Sequence, residues 1–199
     1  IDCGANADCR PEMLVQFARM GSIYMSHMYP REGGPRVGLL NVGTEDTKGG
    51  ELQLATFPLL KESGLNFIGN VEARGVPLGE VDVVVCDGFN GNVLLKSIEG
   101  TAYFMGSLMK HKIFKRNILS MIGYLFCKKG VDEVMKMMDY REIGGTEFLG
   151  IQKPVIKAHG SSDALAFRNA VRQAMMAAEN NIAADLEQNL AQLKENNDD

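Results

Sequence analysis

VDVVVCDGFNGNVLLKSIEG, residues 81–100, decides how the rest of the chain is read. Val81 to Cys86 is an apolar run broken only by Asp82, of strand length. A helix-like pattern follows at once. Between the two, Gly88, Asn90, Gly91 and Asn92 crowd into five positions. Small, flexible, polar residues at such a junction make either a tight turn or a cradle for an anion. Both readings stand at this point.

The same kind of apolar run recurs along the chain. Strand candidates are Ile1-Asp2-Cys3, RVGLLNV (36–42), NFIGN (66–70), VDVVVCD (81–87) and PVIKAH (154–159). The central three are continuous rather than alternating, which suits parallel strands covered on both faces. Helical patterns lie between them. In 11–28, Met13, Leu14, Phe17, Met20, Tyr24 and Met28 recur at three- and four-residue steps behind Pro11, a residue suited to a first turn. A second helix is expected over 50–63, with Pro58 kinking or shortening it. A third runs from about Gly91 to His111. The last starts at Ser161 or Ser162 and continues to Glu195, with Ile182, Leu186, Leu190 and Leu193 on one face and an acidic, frayed end. Alternating strands and helices imply an open, mostly parallel α/β sheet.

Composition narrows the function. The chain has 199 residues with 45% apolar, enough for one good-sized core. A net charge of −4 and a pI near 5.5 argue against a nucleic-acid binder. Cys3, Cys9, Cys86 and Cys127 form no CxxC pair, so structural zinc is not expected and reduced cysteines are. The opening IDCGAN has no signal-peptide character and reads as a strand end entering a loop, so a preceding N-terminal part is expected.

Five strand ends carry polar, glycine-rich loops: CGANADC (3–9), NVGTEDTKGG (41–50), IGNVEARG (68–75), CDGFNGN (86–92) and AHGSS (158–162). In one parallel sheet all five share an edge, and ligands of such sheets sit there. Lys48 suits a phosphate oxygen. Asn92 and the N–H groups near Gly91 suit a polarised carbonyl or a developing oxyanion. Neither GxGxxG nor the P-loop pattern occurs. No Ser-His-Asp or Cys-His signature is evident, which favours direct attack by a bound nucleophile. Taken singly, each loop is explained by turn geometry and helix capping.

Residues 100–131 contain no Asp or Glu. Lys110, Lys112, Lys115, Arg116, Lys128 and Lys129 interleave there with Ile113, Phe114, Ile118, Leu119, Leu125 and Phe126. Two readings fit: helices packed on the core or at a dimer interface, or a basic amphipathic element on an anionic membrane. Gly123 is placed to separate two helical pieces.

The motifs resemble one family. DCGANADCRPEMLVQFARMGSIY (2–24), VGLLNVGTEDTKGGEL (37–52), NFIGNVEARGVPLGEVDVVVCDGFNGNVLLKSIEG (66–100), DYREIGG (139–145) and AHGSSDALAFRNAVRQA (158–174) are similar, in order, to the C-terminal portion of bacterial phosphate acyltransferases. The resemblance implies transfer of a long-chain acyl group from acyl carrier protein to inorganic phosphate, giving acyl phosphate for phospholipid synthesis. It implies a three-layer, Rossmann-like fold of the phosphotransacetylase and isopropylmalate-dehydrogenase type, here lacking its N-terminal part. Within that single domain, 110–140 reads as a basic helical insertion and 176–199 as a helical tail. A cytoplasmic homodimer at the membrane surface is expected, touching lipid through 110–129, with no metal, no cofactor and no nucleic acid. Lys48 and Asn92 carry over as catalytic. Asn6, Asn70, Glu72, Asp87, Gly88, Gly91, His159 and Ser161 carry over as substrate-binding. Thr146-Glu147 stand where the family has Ala-Pro. A short-chain phosphotransacetylase using coenzyme A, or an inactive membrane or interaction module, are the alternatives.

Overall fold

The computed structural model describes residues 1–195, with side chains described through Asn189. The 196–199 end lies outside the described residues, as do the side chains of Leu190 and Leu193. The chain divides into two compact units, one of 1–95, 149–153 and 177 onward, the other of 96–148 and 154–176.

The first unit holds a parallel sheet flanked by helices. Its strands are β1 (Val37–Asn41), β2 (Phe67–Glu72) and β3 (Val83–Val85), in the order β2-β1-β3. Leu39 lies opposite Asn70 of β2 and Val85 of β3. The pairing with β2 slips between Val37 and Gly38, where Ile68 is the extra residue. Helix α1 (Pro11–Met28) and helix α2 (Glu51–Glu62) cover the sheet. Leu14 and Ala18 of α1 and Phe57 and Leu60 of α2 close over Val37, Leu39, Val83 and Val85. The expected amphipathic stripe of α1 therefore supplies the core. Gly21 lets the helix approach closely, since a Cβ there would come within 2.7 Å of Val83 Cγ1.

Pro58 does not shorten α2, which continues to Glu62. Proline removes one backbone donor, and the first-turn geometry is secured elsewhere: the Gln53 side chain accepts the Gly50 N–H at 3.2 Å. Residues Ile1 and Asp2 extend the ladder beside β3. Asp2 N–H donates to Cys86 O at 3.0 Å and Cys86 N–H to Ile1 O at 2.8 Å. Helix α3 (Gly88–Leu108) starts in this unit, three residues earlier than its sequence pattern implied.

In the second unit α3 gives way to a π-helical turn (Met109–Phe114), and Asn117 caps α4 (Ile118–Met137) by accepting the Ser120 N–H. The break between helices thus falls at the π turn and the Asn117 cap. Gly123 sits inside α4 and separates nothing. A short α5 (Tyr140–Ile143) leads into β4 (Gly145–Glu147), which pairs antiparallel with β5 (Ile156–Ala158). The fifth strand candidate therefore belongs to a separate two-stranded sheet, not to the parallel one. The last helix is two pieces, α6 (Ala164–Glu179) and α7 (Ile182–Glu195). The chain turns at Asn181, whose φ of 51° interrupts the ladder. Ile182 and Leu186 of the expected apolar face are buried.

Candidate functional site

Four of the five polar loops lie at the carboxyl edge of the parallel sheet, and each is built around an internal polar anchor. The loop at 3–9 folds around Asp2. Its carboxylate accepts the N–H groups of Gly4 (2.9 Å), Ala5 (2.9 Å) and Asn6 (2.7 Å), and the Asn6 side-chain amide at 2.9 Å. Burial alone would raise this carboxyl; the hydrogen bonds from Ala5, Asn6 and Gly4 outweigh it and hold Asp2 below the ordinary carboxylate range. These N–H groups already have an anion, the protein's own.

The 86–92 stretch is the first turn of α3. Asp87 caps it, accepting the Asn90 N–H at 2.8 Å and the Asn90 amide at 2.6 Å. Gly88 N–H donates to Asn6 O at 2.7 Å, and Gly91 N–H to Asp87 O at 2.9 Å. The glycines serve close approach. A Cβ on Gly88 would come within 2.7 Å of Asn6 O, and one on Gly91 would overlap Asp2 O and come within 2.8 Å of Cys86 Sγ. Two backbone segments are thereby pressed together, and the N–H groups of Gly88 and Gly91 are spent within the protein. The free donor in this turn is the next residue. Asn92 is exposed, and its amide makes no hydrogen bond among the described residues. Its Cβ and Oδ1 lie 3.7 Å from where a Cβ on Gly4 would stand.

Lys48 rides on the loop after the central strand. It is exposed, and its ammonium has no ion pair among the described residues. A Cβ on Gly43 would come within 3.2 Å of Lys48 Cγ, so the lysine stem lies along that glycine. Asn70 is nine-tenths buried on β2 and donates its amide to Glu45 O at 2.8 Å. Its Oδ1 is buried without a partner among the described residues, which ordinarily costs about 1–3 kcal/mol. Glu72, at the end of β2, holds Arg74 through its Nε at 2.8 Å.

His159 and Ser161 belong to the second unit and follow β5, which pairs with β4 and not with the parallel strands. They do meet each other. Ser161 Oγ lies 2.7 Å from His159 Nδ1 and 3.3 Å from the Tyr140 hydroxyl. The Tyr140 and His159 rings are 5.3 Å apart. Arg141 links Asp139 and Asp163 nearby. Gly144 packs on the α6 backbone, where a Cβ would come within 2.6 Å of Asn169 C.

Sequence reasoning missed Asp2, Asn41 and Tyr140. An aspartate followed by Gly-Ala-Asn is the signal of a side chain capping its own turn, and it was available for Asp2. Cys86 is buried, and burial pushes its thiol up to about 11, so it is no nucleophile. Among the described residues, no three His, Cys, Asp or Glu side chains gather as a metal would require.

Among the described residues the edge thus combines an ammonium, Lys48, and an amide, Asn92, that have no partner, beside the buried and unpartnered Oδ1 of Asn70. The family model described as "Fatty acid synthesis protein" matches residues 1–185. A phosphate acyltransferase of Thermoanaerobacterium thermosaccharolyticum is 46% identical over 190 residues, 96% of this chain and 56% of the relative. One from Caldanaerobacter subterraneus is 51% identical over 174 residues, 87% of this chain and 52% of the relative. One from Clostridium botulinum is 47% identical over 196 residues, 98% of this chain and 58% of the relative. The chain therefore spans a little over half the length of the curated relatives it matches. With the match running from the Asp2 loop through α6, the chain belongs to the fatty acid synthesis protein family.

Proposed function

We propose that the protein to which this chain belongs transfers a long-chain acyl group from the thioester of acyl carrier protein to inorganic phosphate. The observation that carries the reading is an ammonium, Lys48, after β1 and an amide, Asn92, after the neighbouring β3, neither with a partner among the described residues. The relatives' name, phosphate acyltransferase, supports it.

The chemistry follows from charge. Lys48 holds the phosphate dianion and orients one oxygen for attack. That oxygen bonds to the thioester carbonyl carbon, and the carbonyl oxygen gains the displaced electron pair. Asn92 donates to this oxyanion from the first turn of α3. The oxyanion then re-forms the carbonyl as the C–S bond breaks with its electron pair leaving on sulfur, and the thiolate takes the proton that the attacking hydrogen phosphate carried. Acyl phosphate and free carrier thiol result. Asp87, Gly88 and Gly91 hold the turn that presents Asn92, and Asn6 braces it; Glu72 and Asn70 border the Lys48 loop. The chemistry is argued from the first unit; His159 and Ser161, of the second unit, remain candidates for substrate binding.

The test is thiol release by the complete reading frame, compared between a long acyl carrier protein and acetyl-coenzyme A. Phosphate-dependent release from the long acyl carrier protein supports the reading. Preference for acetyl-coenzyme A replaces it with a short-chain phosphotransacetylase.

A second reading concerns where the protein works. Helix α4 has no buried residue, and Leu119 and Phe126 are 78% and 86% exposed. Lys110, Lys112, Lys115 and Arg116 precede this helix and Lys128 and Lys129 lie within it, and none of residues 100–131 is acidic. Among the described residues no helix is long and apolar enough to cross a membrane. We infer that 110–129 lies on an anionic membrane surface, where an amphipathic acyl phosphate would also partition. Burial of the same surface in a homodimer is the competing explanation, and vesicle flotation separates the two.

A further inference from the structure

The loop that carries Lys48 is held by two asparagines, Asn41, which has no part in the reaction as given above, and Asn70, named above only as substrate-binding and as a neighbour of this loop. Residues 45–48 form a turn closed by the Lys48 N–H donating to Glu45 O at 3.1 Å. Each end of that turn is then gripped from a different strand. At one end Asn70 of β2 donates its amide to Glu45 O at 2.8 Å. At the other, Asn41, the last residue of β1, donates its amide to Lys48 O at 2.9 Å. Asn41 Oδ1 meanwhile accepts the Val42 N–H at 2.8 Å, which fixes the rotamer of the gripping amide. The space is tight: a Cβ on Gly49, whose φ is 103°, would come within 2.7 Å of Asn41 Oδ1. On its outer side residues 44–48 are exposed.

We propose that Asn41 and Asn70 form an amide clamp that positions Lys48 for phosphate, and so act in the reaction as positioning residues. This rests on the reading of Lys48 given above. Two features separate the clamp from ordinary loop packing. Both bonds are made to backbone carbonyls that bracket Lys48, so they set the lysine's Cα whatever its rotamer. Asn70 also breaks a local rule, because it leaves its buried Oδ1 unpaired in order to hold Glu45. A strand position facing the interior is better served for stability by an apolar residue. The asparagine is thus explained by loop geometry and not by stability. A misplacement of about 1 Å at a substrate-holding group costs up to about a hundredfold in rate.

The experiment uses the complete reading frame with Asn41→Asp and Asn70→Val, each made with Lys48 intact and with Lys48→Ala. Asn41→Asp keeps the acceptor for Val42 but replaces the N–H that grips Lys48 O. The clamp predicts that each variant raises the KM for inorganic phosphate about tenfold with the thioester KM within about twofold. It predicts that Asn70→Val melts no lower than the parent, and that hydrogen exchange quickens in a peptide spanning 42–50. In the Lys48→Ala background the same substitutions leave the phosphate KM unchanged, because nothing remains to be positioned. Equal losses in both backgrounds, an unchanged phosphate KM, or a fall in kcat that follows lost stability overturns the clamp. Should Asn70→Val fail to fold, Asn41→Asp, at a half-buried position, decides alone. If Lys48→Ala itself leaves phosphate use intact, the functional reading fails, and the clamp with it; if only the asparagine variants are silent, the reading stands and the clamp falls.

Discussion

Gly91→Ala tests whether the glycines of CDGFNGN are there for backbone contact. In an ordinary helix interior this change gains about 1 kcal/mol, because alanine is the better helix former. Here the new Cβ would overlap Asp2 O and stand 2.8 Å from Cys86 Sγ. Neither neighbour has room to yield, since both residues are buried. Moving Asp2 strains its bond to Cys86 O at 3.0 Å and the Gly88-to-Asn6 bond at 2.7 Å. Overpacking costs about 1–3 kcal/mol, and two weakened hydrogen bonds add about 1 kcal/mol each. Set against the helix gain, the net loss is about 3 kcal/mol, or roughly 6–12 °C in melting temperature for a domain of this size. Gly100→Ala is the control. It lies in the same helix with no heavy atom within 4 Å of its notional Cβ, so it should gain about 1 kcal/mol. Thermal unfolding of both variants in the complete reading frame measures the difference. Equal stability of the two would refute the close-approach argument, and with it the answer to why two glycines stand at that junction.

Other consequences are open to direct measurement. Arg36 grips Asp82 through Nε at 3.0 Å and Nη2 at 2.9 Å, and this hydrogen bonding depresses the Asp82 carboxyl from 3.8 to about 2. A depressed carboxylate stabilises the fold above its unfolded value and loses that contribution as pH falls from about 4 to about 2. The contribution is about 2 kcal/mol before solvent screening and about 1 kcal/mol after it; Asp82→Asn should remove it, flattening the acid limb of denaturant-measured stability in that window. Lys115→Glu with Arg116→Glu should abolish flotation with anionic vesicles while leaving neutral-vesicle binding unchanged. Undiminished flotation of that variant contradicts the charged-surface mechanism.

Much of the first unit was legible because its physics is local. The runs at 36–42, 66–70 and 81–87 are apolar without alternation, and they form β1, β2 and β3. Helix α1 matches its periodic span because Pro11 fixes its start and its apolar stripe meets the sheet. β4 was invisible, since three residues, Gly-Thr-Glu, carry no strand signal. β5 looked like another parallel strand until its pairing with β4 was known, and pairing is a property of two segments. For the same reason the strand before His159 and Ser161 was grouped with the parallel strands, whereas it pairs with β4. Loop composition pointed to the carboxyl edge of the sheet, but where each N–H donates was not readable. Asp2 neutralises the N–H groups of its own loop, and Asn41 bonds seven residues ahead.

Steady-state kinetics of Lys48→Ala and Asn92→Ala in the complete reading frame, with a long acyl carrier protein, test the central claim most directly. The account predicts a raised phosphate KM for Lys48→Ala and a kcat lowered on the order of a hundredfold for Asn92→Ala, with both melting temperatures unchanged. Near-parental turnover in both folded variants would contradict it.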